Sequence, residues 1–258
     1  MLRPRSALTL LSMLLVAAPL MAQSPWPRVP AFPAVCYTEG DSFPGRIEAA
    51  FEANLDAEGR QERINHELDD QLKAVDPAAT QSHMMAYMQE NPAGFKAYMA
   101  QMAQDPQLAQ AATKAHRAKM QGFQKEFDAL KANYAAALET TLHPVGVEMM
   151  KVLDAASGAP TAERAAAVAR YNSTYKALCE KWIIRENFPA FLTRFKAYLV
   201  GTYLPSLDKR TAMTKTSFEM AGIDSAAYQD TEQFTAVSVY LDYARTAFGL
   251  RNRLPQGL

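Results

Sequence analysis

Between Asp76 and Pro106 the chain reads DPAATQSHMMAYMQENPAGFKAYMAQMAQDP, punctuated by three Asx-Pro steps: Asp76-Pro77, Asn91-Pro92 and Asp105-Pro106. An Asx side chain accepts hydrogen bonds from the first free amides of a helix. Proline at the first helical position already has the required φ and forfeits no bond. Each step therefore ends one helix and starts another, which predicts helices over 77–90, over 92–104 and from 106 to about 142. In the third, Met120, Phe123, Phe127, Leu130, Tyr134 and Leu138 recur at steps of three and four, the spacing of one helical face. His143-Pro144 is expected to close it, because the residue before a proline avoids the helical region.

Helical periodicity continues on both sides. Upstream, Ile47, Phe51 and Leu55, then Ile64, Leu68, Leu72 and Val75, fall at steps of four and three, with Gly59 between the two sets. A kink or short turn is expected at Gly59, since glycine weakens a helix interior by about 1 kcal/mol relative to alanine. Downstream, Asp154 to Pro160 is small-residue rich and holds both Gly158 and Pro160, the signature of a linker. Thr161 is then placed to cap a helix faced by Tyr171, Tyr175, Leu178 and Trp182. Asn187-Phe188-Pro189 restarts it, with Phe191, Phe195 and Tyr198 on its apolar side. Asp230 with Gln233 forms a capping box for a last helix lined by Phe234, Val237, Leu241, Ala244 and Phe248, and Arg251 and Arg253 complement the negative end of its dipole. No segment alternates with the two-residue period of a strand. The expected class is all-α, an antiparallel helical bundle with an extended proline-rich N-terminal arm, forming one domain over 44–258 with possible halves 44–153 and 161–258.

The N-terminus has the three regions of a secretory signal peptide. Arg3 and Arg5 precede an apolar run from Leu8 to Leu20, and Met21-Ala22 ends in a small residue, which predicts cleavage after Ala22. The run falls short of the roughly 20 residues that cross a bilayer, so no membrane span is expected in the mature chain. The protein is thus expected to be exported, to the periplasm or outside the cell. Residues 23–43 form the arm, where Pro25, Pro27, Pro30 and Pro33 keep the backbone extended. The arm reads as a strap pinned by Trp26 and Phe32 or as a recognition segment.

Beyond residue 22 the chain carries 25 basic and 27 acidic residues. That balance argues against nucleic acid, whose phosphates are neutralised by clustered positive charge, so no nucleic-acid partner is expected. Cys36 and Cys179 are the only cysteines, and in an oxidising compartment an isolated pair is expected to join as a disulfide, two buried thiols being the alternative.

No glycine-rich phosphate loop, nucleophile elbow, HExxH helix or paired CxxC is present, so no catalytic residue is assigned. No cofactor or metal is implied. Glu62, His66 and Asp70 recur at steps of four and share a helix face. They could ligate a metal or serve a dispersed-site hydrolase, but a solvated, charge-paired face has the same spacing.

Met84, Met85, Met88, Met99 and Met102 gather half of the ten methionines beyond residue 22 into nineteen residues. They can serve as flexible core filler, as a soft Cu(I) site beside His83, or, together with Phe95, as an apolar surface for a protein or apolar ligand. The run from Ala86 to Gln110 resembles the Asx-Pro-punctuated, methionine-rich short helices of co-chaperone modules over about thirty residues. The resemblance implies a surface that repacks around exposed apolar segments. The leading expectation is an exported binding or interaction protein, chaperone-like, acting through Met84, Met85, Met88, Phe95, Met99 and Met102.

Overall fold

The computed structural model describes residues 43–103, 106–155 and 160–252. The expected signal peptide, nearly all of the expected arm, Cys36 and Asp105 lie outside them. The chain is all-α, with nine α-helices and no strand among the described residues: α1 (Phe43–Ala74), α2 (Pro77–Glu90), α3 (Pro92–Met102), α4 (Pro106–Ala137), α5 (His143–Asp154), α6 (Thr161–Cys179), α7 (Asn187–Tyr198), α8 (Leu204–Met220) and α9 (Glu232–Gly249). No described helix is long and apolar enough to cross a membrane.

Two of the three Asx-Pro steps fall on described residues, and both behave as their chemistry dictates. The Ala78 amide donates to Asp76 Oδ1 at 3.0 Å, and the Gly94 amide donates to Asn91 Oδ1 at 2.9 Å. Gly94 is needed by close approach, since a Cβ there would stand 2.4 Å from Asn91 Nδ2.

His143-Pro144 does not end the third helix. α4 passes through a π-helical turn, Leu138–Leu142, straight into α5. Two more π-helical segments, Glu180–Arg185 and Leu199–Tyr203, precede Pro189 and Pro205 in the same way. A proline ring strikes the carbonyl four residues back and has no N–H to give it. Those carbonyls belong to Thr140, Arg185 and Gly201, and each lies inside a π segment. The wider turn moves the carbonyl aside by bonding one residue further along: the amides of His143, Glu186 and Leu204 reach Leu138, Lys181 and Leu199. Pro144 and Pro205 therefore sit in continuous helical rods, the first where a break was expected, whereas at Glu186 (φ −116°, ψ −76°) the rod is interrupted and α7 restarts at Asn187 as the sequence predicts.

Gly59 also causes no break, for α1 runs unbroken through it. Its buried side differs from the expected one, because Leu55 and Leu72 are exposed while Ile47, Asn54, Gln61 and Leu68 are buried. Steps of four advance about 40° per step around a helix and leave the interface, whereas steps of seven lag by only about 20°. The seam facing α9 therefore runs at seven-residue spacing through two amides. Asn54 Nδ2 donates to Phe234 O at 2.9 Å and Ser238 Oγ at 2.8 Å, and Gln61 Nε2 donates to Ala227 O at 2.8 Å. With Arg245 Nη1 bonded to Glu48 at 2.9 Å, the contacts run α1 and α9 in opposite directions.

The centre is aromatic. Phe123 and Phe127 of α4 meet Phe188, Phe191 and Phe195 of α7 and Tyr243 of α9, with centroids 4.4–6.1 Å apart in mostly tilted and edge-on pairs. Such contacts add about 0.5–1.5 kcal/mol each beyond burial. Tyr175 is buried, and Tyr171, Leu178 and Trp182 pack half-buried against the same core. A smaller cluster of Leu68, Phe218, Ala221 and Ile223 joins α1 to the end of α8.

At the start of α9 the capping differs in detail. Asp230 Oδ1 accepts from the Glu232 amide at 3.1 Å, but Gln233 turns its side chain to Asp208 at 2.8 Å, so the box is not reciprocal. Thr161 begins α6 as its first residue, with Pro160 in the capping position.

Candidate functional site

α2 and α3 form a hairpin against α8 and contribute no buried residue. Met84, Met85, Met99 and Met102 are 36%, 50%, 50% and 57% exposed, while Met88 and Phe95 are half-buried. The sequence thus brought an apolar set together on a surface element, not in the core. The hairpin is tied down at few points. His83 Nδ1 donates to Ala221 O at 3.1 Å, and Ser217 Oγ lies 3.3 Å from the Tyr98 hydroxyl.

The seat for His83 is the C-terminus of α8. The Ile223 amide reaches Phe218 O and the Gly222 amide reaches Glu219 O, each at 2.9 Å, while Ile223 and Phe218 pack together in the small cluster. This is a complete Schellman closure. Gly222 has φ +78°, which an L side chain rarely adopts.

Beside the hairpin lies an open cleft of about 750 Å³, reached from Gln101 of α3 and walled by α4, α8 and α9. Polar groups from distant parts of the chain converge in it. His116 Nδ1 is 2.8 Å from the Tyr198 hydroxyl, and its ring meets Tyr203 edge-on at 5.4 Å. The Tyr203 hydroxyl donates to Glu232 Oε2 at 2.9 Å. Arg210 grips the buried Asp230 through two nitrogens, Nη2 at 2.8 Å to Oδ1, and also reaches Glu232 Oε2 at 3.0 Å. Those carboxylates hold its guanidinium still more firmly protonated than usual. Burial, reinforced by the bond to Glu232, pushes the Tyr203 phenol up to about 12.

Sequence reasoning missed this cleft. The His116 ring is half-buried against Tyr198, a partner 82 positions away. No local spacing carries that information.

Glu62, His66 and Asp70 do share a face of α1, and all three are exposed. His66 Nε2 is 3.5 Å from Asp70 Oδ2, and Lys73 bonds Asp70 at 2.9 Å, holding that carboxyl below its ordinary range. The groups stand on an open helix face, not in a cleft. Among the described residues, no three His, Cys, Asp or Glu side chains gather where a metal could be held. Cys179 is fully buried, with Sγ 3.7 Å from the Tyr134 hydroxyl. No known family model, curated protein or solved structure matches this chain.

Proposed function

We propose that this is an exported binding protein that receives extended, apolar peptide segments on the α2–α3 hairpin. The observation that carries the reading is the exposure of Met84, Met85, Met99 and Met102 on helices with no buried residue. Unbranched thioether side chains adapt to varied apolar shapes. Apart from His83, the hairpin carries only Glu90 and Lys96 as charged side chains, of opposite sign, so its chemistry selects apolar surface over charge. Isolated helices of 14 and 11 residues are marginal in water, so the pair takes its stability from contact with α8 or with a partner.

The test is fluorescence anisotropy of a labelled dodecapeptide rich in Leu and Phe, titrated with wild type and with Met85→Glu/Met99→Glu. Capture by wild type and at least tenfold weaker capture by the variant, with an unchanged melting temperature, support the reading. No capture by wild type, or equal capture by both, refutes it. Export is tested separately by the mass of the periplasmic or secreted product, expected to begin at Gln23.

A further inference from the structure

We infer that the cleft between α4, α8 and α9 binds a small anion carrying an apolar body, with Arg117 and Lys209 as the residues that hold its head group. The inference does not depend on the hairpin as a peptide site. At about 750 Å³ the cleft falls within the roughly 300–1,000 Å³ of ordinary small-molecule sites. Its apolar wall includes Leu207, buried, with Met120 and Val239 half-buried around it.

The charge of the lining decides the class of ligand. Among the described residues Glu232 is the single acidic side chain lining the cleft, and it is already satisfied by the Tyr203 hydroxyl at 2.9 Å and Arg210 at 3.0 Å. Arg210 in turn spends its remaining contacts on Asp230. These three charged groups form a closed network beside the wall. Arg117 and Lys209 are different: both line the cleft, both are exposed, and neither makes an ion pair among the described residues. Two uncommitted cations beside an apolar surface attract an anion and repel a cation, and the low-dielectric wall strengthens both effects. The apolar body fills the wall while the carboxylate or similar head group meets Arg117 and Lys209.

Calorimetric titration of the full chain with decanoate, decyltrimethylammonium and acetate, all below micelle-forming concentration, tests this. One decanoate per chain is expected, with no heat from the cation and much weaker binding of acetate. Arg117→Gln and Lys209→Gln should each weaken decanoate binding about tenfold, the effect of one charge-assisted hydrogen bond. Neither should change the melting temperature, because neither side chain makes an ion pair among the described residues. Met85→Glu/Met99→Glu should leave decanoate binding intact, which separates this site from the hairpin. Equal binding of anion and cation, binding of acetate as tight as decanoate, or decanoate binding indifferent to both cleft substitutions would each overturn the inference.

Discussion

His83 packs directly over Gly222: a Cβ added at Gly222 would stand 2.3 Å from His83 Nδ1, the atom that donates to the neighbouring Ala221 carbonyl. The left-handed turn that closes α8 is thus also the socket that holds the methionine hairpin. Gly222→Ala combines backbone strain of about 1–2 kcal/mol with a collision, so it should lower unfolding free energy by at least that amount and loosen α2. In a His83→Ala background the collision is gone and only the strain remains. Urea unfolding of the four chains should therefore show clear non-additivity, and amide exchange should quicken in α2 first. Additive losses would refute the contact.

The α1–α9 seam makes a polar residue matter more than its apolar neighbour. Asn54→Ala removes two hydrogen bonds at a buried site, and the expected loss is about 2 kcal/mol. Leu55→Ala alters a side chain already 45% exposed, and the loss should stay under about 1 kcal/mol. Denaturant midpoints of the two variants check the order, and the reverse order would contradict the seam.

Two tyrosines should titrate late. Burial pushes Tyr203 and Tyr243 from the ordinary 10 up to about 12, helped by Glu232 at Tyr203 and by Asp128 and Asp242 at Tyr243. The folded chain holds these phenolic protons more tightly than the unfolded chain does. Their contribution to stability is therefore complete below pH 10 and is lost as pH rises toward 12. Absorbance at 295 nm should show a late-ionising fraction that shrinks in Tyr203→Phe and in Tyr243→Phe. A wild-type titration finished by pH 10.5 would exclude it.

If the chain is exported as proposed, Cys36, which lies outside the described residues, and Cys179 should be joined. Closing so long a loop is worth about 4–5 kcal/mol in the chain-entropy account, with less realised in practice. Thiol titration of the denatured, unreduced protein should find none, and reduction should lower the melting temperature. Two reactive thiols before reduction would show that the pair does not form.

Helix boundaries were legible where the signal is local. Asp76 and Asn91 cap the helices that follow them because an Asx side chain needs only the amides two or three residues ahead. The apolar stripes of α4 and α9 were legible for the same reason: Phe123, Phe127, Tyr134 and Leu138, and Val237, Leu241, Ala244 and Phe248, are buried because helical pitch fixes which side chains share a face. Pro144 was misread because a proline in sequence forbids only the ordinary helical bond. Whether the chain then breaks or widens into a π turn depends on how firmly both flanks are packed.

The sequence by itself determined the all-helical class, the hairpin joints and the gathering of methionines between Met84 and Met102, since each follows from bonds and periods spanning a few residues. Tertiary structure decided which face of α1 is buried, because that depends on Asn54 and Gln61 finding carbonyls and hydroxyls more than 160 positions away. It also decided that the methionines face outward, since their spacing suits a core face and a surface equally and the seating of the hairpin on α8, through His83 and Tyr98, chooses. The cleft is tertiary throughout: His116, Tyr203, Arg210 and Glu232 come from four separate elements, and their proximity arises only when those elements pack together.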